Sequence, residues 1–223
     1  MKLRTVMKLR SFVVVLGVVS LGVARAATDP AFDAELKTIA QAWATVNYET
    51  APGDARLQAF ATLEKRAEAF TQAHPTRAEA LIWEAIIESS YAGAKGGLGA
   101  LSLCREARGN LEAALKLDPD ALEGSAYTSL GALYYQVPGF PLGFGNHDKA
   151  GELLRKALEL NPTGIDPNYF YADYLYVERR YAEALDYLQR ASKAPARPGR
   201  ETADRGRRAE VAALTAKVKT KLG

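Results

Sequence analysis

Alanine returns along this chain at a spacing that few folds can use. Ala150, Leu154, Ala157 and Pro162 are followed 34 residues on by Ala184, Leu188 and Ala191, and the same internal spacing stands upstream as Ala107, Leu111, Ala114 and Pro119. A period near 34 residues signals stacked helical hairpins, each unable to bury its apolar face alone. The small residues fall where two helices cross, and the proline ends the second helix of each pair. The expected class is therefore all-α, a helical-hairpin solenoid. Such a stack offers a concave binding surface more readily than a catalytic centre.

Residues 1–26 read as a cleaved secretory signal peptide, separate from the fold. Lys2, Arg4, Lys8 and Arg10 precede an apolar run from Phe12 to Val23, and Ala24, Arg25 and Ala26 form a small-x-small cleavage site before Ala27. The run is shorter than the ~20 residues of a membrane-spanning helix. Cys104 is the single cysteine; it lies far from the cleavage site and excludes an intramolecular disulfide. A soluble protein of a bacterial periplasm is the expected product. The chain has 29 basic and 26 acidic residues, but five of the basic ones belong to residues 1–26. The apparent basicity thus lends no support to nucleic-acid binding.

Breakers divide the remainder. Residues 27–76 are expected to form an N-terminal hairpin of helices near 30–48 and 54–73, a degenerate unit covering one end of the stack. Asp29 and Pro30 suit a helix start, and Ala51, Pro52 and Gly53 separate the two helices. Residues 77–195 hold three hairpins, closing near Pro119, Pro162 and Pro195. Residues 196–223 form a C-terminal capping helix with eight basic and three acidic residues. This tail is read either as a solvated cap or as a dock for an acidic partner or anionic membrane surface.

Leu130, Gly131 and Tyr134, then Tyr171, Ala172 and Leu175, then Tyr181, Ala182 and Ala184 resemble the tetratricopeptide repeat (TPR) family. The first two hairpins carry extra chain: Ala85 to Ala107 is 22 residues and Gly131 to Ala150 is 19, against 12 from Ala172 to Ala184. The surplus is expected as two inserted turns, around 94–99 and 138–145, side by side on one edge. Insertions in repeat proteins map to one face, often the binding face. Leu98, Phe140, Leu142 and Phe144 are the candidate apolar contacts; the alternative is two long turns that pack on each other.

The second insertion, followed by His147 to Ala150 and by Ala157 to Leu160, is similar to the exported TPR T component associated with TRAP transporters. That resemblance implies an all-helical bundle of cryptic repeats that binds a periplasmic solute receptor. It also implies a ligand-sized opening and, in some members, a homo-oligomer. This chain lacks the lipid-bearing cysteine of lipoprotein members.

Residues 127–187 contain 12 of the 18 Tyr and Phe residues. Tyr169, Asp173 and Tyr176 recur at i, i+4 and i+7, a stripe that the resemblance places on the concave groove, with Tyr135 equivalent in the preceding hairpin. Tyrosines with one acid suit a small organic ligand offering apolar and hydrogen-bonding surface; inter-repeat packing is the competing reading. Chemistry-bearing motifs are sparse. His74 and His147 stand at helix boundaries without ligand-spaced partners, Cys104 reads as a semi-buried inert thiol, and Gly96, Gly97 and Gly99 lack the lysine and hydroxyl of a phosphate loop. No catalytic residue, metal site or cofactor is expected. Function is read as binding: a periplasmic or envelope protein partner together with a small organic ligand, or alternatively a general assembly scaffold that takes a peptide in its groove.

Overall fold

Nine α-helices follow one another in the computed structural model, which describes residues 29–223, and no strand occurs among the described residues. They are α1 (Pro30–Tyr48), α2 (Asp54–Ala73), α3 (Ala78–Lys95), α4 (Gly97–Leu117), α5 (Ala121–Gln136), α6 (His147–Leu160), α7 (Ile165–Val177), α8 (Tyr181–Lys193) and α9 (Glu201–Leu222). Successive pairs make four hairpins, and each packs on the next. The signal-peptide expectation falls on residues 1–26, outside the described residues.

Local chemistry accounts for the ends. Asp29 caps α1 by accepting from the amides of Ala31 and Phe32, with Pro30 at the first helical position. Asn146 caps α6 through the Lys149 amide. The repeating alanines, Ala107, Ala114, Ala150, Ala157, Ala184 and Ala191, are all fully buried at helix crossings. Two apolar clusters form the core. One runs through α3 to α9, and the other joins α1 and α2 to Trp83 and Ile87 of α3 and Ala203 of α9. Helix α3 feeds both, which is why its sequence is apolar nearly all round.

The two surplus segments behave differently. Between Ala85 and Ala107 the extra chain is helix: α3 runs to Lys95, α4 starts at Gly97, and Gly96 alone separates them. The expected first inserted turn is thus replaced by two longer helices, because Ala92, Ala94, Ala100, Leu101 and Leu103 sustain helical periodicity across the glycines. The second surplus is a true turn over 137–146. Its ends are pinned by the Asn146 amide donating to Tyr134 O and the Gly145 amide to Pro138 O. The chain doubles back so tightly that a Cβ at Gly145 would overlap the carbonyl of Val137.

The stack closes on itself. Helix α9 packs against α8, α7 and also α1, so the last helix meets the first. The approach depends on Gly206, where a Cβ would overlap the root of the Tyr48 ring. Gly206→Ala should therefore lower stability by about 1–3 kcal/mol. Gly109 of α4 has open space around it, so Gly109→Ala should raise stability by about 0.5–1 kcal/mol. Urea unfolding of the two variants checks this; a gain in both would mean that the α1–α9 contact is loose.

Within the α2–α3–α4 layer, Glu88 is only 3 % exposed and accepts from Asn110 of α4. Burial first, then Glu84 one turn before it, pushes its carboxyl up to about 8. A carboxyl raised by folding favours the protonated native state, so its contribution is full below the unfolded value and is lost as pH rises towards about 8. Glu88→Gln should stabilise the protein by more than about 1 kcal/mol at pH 8.5 and by less than about 0.5 kcal/mol at pH 5, read from denaturant midpoints at each pH.

Candidate functional site

The concave side of the stack is a groove of about 1290 Å³. Helix α7 supplies one wall with a continuous face, Asp166, Tyr169, Phe170 and Asp173. At a rise of about 1.5 Å per residue that face is roughly 10 Å long. Trp43, Phe60, Trp83, Ile86, Leu101 and Leu133 add apolar surface from α1 to α5, and the largely exposed Leu142 of the inserted turn borders the groove. Leu122 and Glu123, also on the wall, adopt left-handed backbone at φ 49° and 55°. Such a conformation costs a residue other than glycine about 1–2 kcal/mol, and strain of this kind concentrates at binding sites.

One end of the α7 face carries a chain of ion pairs. Arg207 of α9, 8 % exposed, donates to Asp166 Oδ1 at 2.7 Å and also to Glu210. Arg197 donates to Asp166 Oδ2 at 2.7 Å and to Asp204 Oδ1 at 2.7 Å. Burial alone would raise the Asp166 carboxyl, but Arg207 and Arg197 overcome it and hold it down at about 2. Burial likewise opposes the charge on Arg207, and Asp166 outweighs it. The guanidinium of Arg207 also lies 4.5 Å from the Tyr169 ring centre and 4.6 Å from that of Phe170. Burial pushes the Tyr169 hydroxyl up to about 12, so it remains a donor at physiological pH.

At the other end of the face, the Tyr135 hydroxyl donates to Asp173 Oδ2 at 2.7 Å and accepts from Gln136 Nε2 at 3.1 Å. Burial, then Asp173, keeps that phenol protonated. The groove thus has an end against α9 where arginines and carboxylates pair and an end where the Asp173 carboxylate accepts from Tyr135, with aromatic and aliphatic walls between.

The candidate residues divide accordingly. Leu142, Tyr169 and Asp173 line the groove. Tyr135 is buried behind the wall and acts through Asp173. Phe140 is 94 % exposed at the tip of the turn, beside Leu142 at 70 %. Phe144 turns away from the groove, edge-on to Tyr134 at 5.6 Å and beneath Arg108 at 4.6 Å. Tyr176 packs on Tyr181, 5.6 Å between ring centres, and is not on the wall. The side chain of Leu98 lies outside the described residues. His147 pairs with Glu178 at the surface, and no cluster of metal-ligating side chains occurs among the described residues.

The sequence reading missed the arginines and tryptophans of the site. The segment regarded as a solvated or docking tail directs Arg197, Arg200 and Arg207 into the groove, pairs Arg205 with Glu49, and uses Arg208 on the carbonyls of Ser192 and Ala194. The legible signal was charge asymmetry: an acidic body followed by a basic tail. Asp166→Ala would leave the buried Arg207 and the half-buried Arg197 without the carboxylate they share, with only Glu210 and Asp204 respectively remaining. A loss of about 3–5 kcal/mol is expected, measured by urea unfolding at pH 7.

Residues 142–198 match a tetratricopeptide repeat family model, and no curated protein sequence matches the chain. In solved structures the fold is similar to a thermophilic TPR protein of Thermus thermophilus, with a TM-score of 0.55 and 20% identity over 85% of this chain and 91% of that one. More distant are MamA, at 0.43 and 17% over 74% and 89%, and PilF of Pseudomonas aeruginosa, at 0.35 and 15% over 84% and 93%. The architecture is a TPR-like helical solenoid.

Proposed function

We propose that this chain is an exported, non-catalytic binding protein whose groove holds a small organic ligand and whose inserted turn docks a protein partner. The observation that carries the reading is the groove itself. Its apolar and aromatic walls and its few convergent polar groups support a ligand site. The paired arginines and carboxylates do not combine a nucleophile, a base and an electrophilic pocket in the manner of an active site.

The partner surface lies next to it. Phe140 and Leu142 stand out together from a turn pinned at both ends, and exposed aromatic and aliphatic side chains on a rigid base are common interface anchors. Leu142 belongs to both the turn and the groove wall, so ligand occupancy and partner docking share a boundary. The resemblance of the second insertion to the T component of TRAP transporters supports a periplasmic solute receptor as the partner.

The test is a double variant, Phe140→Ser with Leu142→Ser. Both side chains are exposed, so stability should change by no more than about 0.5 kcal/mol per site. A receptor captured from periplasmic extract by the parent protein should be identified by mass spectrometry and its affinity measured by calorimetry. The variant should bind at least ~30-fold more weakly. Unchanged affinity would remove the turn from the interface. A partner displaced by groove variants instead would favour a peptide-binding scaffold.

A further inference from the structure

Three arginines reach the groove from the start of α9 and the segment before it, and they are not equivalent. Arg197 is shared by Asp166 and Asp204, and Arg207 by Asp166 and Glu210. Arg200 has no ion pair among the described residues, and its buried Nε has no hydrogen-bond partner there. Its guanidinium lies 4.9 Å from the centre of the Trp83 ring, on the groove wall. A stacked planar guanidinium is held in orientation by the ring while its remaining N–H groups stay available. Burial, then the neighbouring Arg197, lowers its basicity, and the nearby Asp166 and Asp204 offset this only in part.

We infer that Arg200 is the anion anchor of the groove, and that the ligand is an amphipathic monocarboxylate with its carboxylate on Arg200 and its apolar body along the wall. This rests on the reading of the groove as a ligand site and adds the chemical class of its occupant. The count of acceptors selects one carboxylate: Arg197 and Arg207 are engaged by three acidic side chains, Arg56 on the same lining is held by the Thr50 carbonyl, and Arg200 alone of the lining arginines has no acceptor among the described residues. The walls select the rest of the molecule. From the arginines the ligand passes Trp83, Ile86 and Phe170 towards Leu133 and Leu142. At the far end the Tyr135 hydroxyl is already engaged by Asp173, and a second anionic group would meet that carboxylate.

The chain's two tryptophans, Trp43 and Trp83, both line the groove and give the test a built-in reporter. Decanoate, 1-decanol and decanedioate should be titrated below their aggregation limits while tryptophan emission and, separately, heats of binding are followed. Decanoate should bind at least ~10-fold more tightly than decanol, and decanedioate no more tightly than decanoate. Arg200→Gln should remove the preference for decanoate and leave decanol affinity unchanged. Arg200→Lys, which keeps the charge without the planar fork, should retain part of it and serves as the decisive variant if Arg200→Gln fails to fold. Equal affinity of decanoate and decanol in the parent protein, or undiminished decanoate binding in Arg200→Gln, would overturn the anchor while leaving the groove a ligand site. Tighter binding of decanedioate would overturn the single-charge selection. Binding of none of the three would overturn both the anchor and the groove reading.

Discussion

The ion pair between Arg207 and Asp166 ties the last helix to the wall of the groove, and most of what distinguishes this protein depends on it. An open stack of hairpins would leave the concave surface as a shallow trough. Here α9 crosses back to meet α7 and α1, and Arg207 is pinned by Asp166, Glu210 and two aromatic faces. A guanidinium buried this deeply is tolerated only when desolvation is offset by several well-formed contacts. The same bond sets where the neighbouring arginines stand. Arg197 takes the second oxygen of Asp166, and Arg200 is left facing the ring of Trp83.

Packing cooperates with charge at this junction. Gly206 lets α9 approach α1 closely enough for the Tyr48 ring to sit against its backbone. Tyr48 in turn meets Trp43 edge-on at 5.7 Å, and Trp43 meets Trp83 at 5.7 Å. A line of aromatic contacts thus runs from the closure to the groove floor. Trp83 and Arg200 on the groove adjoin the groups that seat α9. The left-handed turn at Leu122 and Glu123 lies on the same wall.

The two surplus segments illustrate how similar sequence excess has different structural outcomes. Around residues 94–101 the glycines are interspersed with alanine and leucine, and a single break at Gly96 suffices. Around 138–145 prolines at 138 and 141 remove backbone donors and fix φ, so helix cannot continue. The chain forms a turn instead and presents Phe140 and Leu142 outward, while Phe144 becomes part of the packing under Arg108. Composition in glycine alone did not separate these cases; the placement of proline does.

The sequence by itself determined the all-α class, the hairpin repeat and the places where helices break. These are set by short-range rules: alanine at crossings, capping residues at starts, proline and glycine at ends. It also showed an i, i+4, i+7 stripe, which the family resemblance placed on the groove; Tyr169 and Asp173 stand on the wall while Tyr176 turns to Tyr181. One stripe position separates these outcomes, and only the orientation of α7 against α5 and α9 decides it. Tertiary structure alone decided that the basic tail folds inward, that Asp166 is shared by two arginines and that Arg200 is shared by none. The sequence carried the charge asymmetry as a sum over a segment. Which charge meets which partner depends on the approach of helices more than thirty residues apart, and that approach is fixed by burial of apolar surface rather than by any local motif.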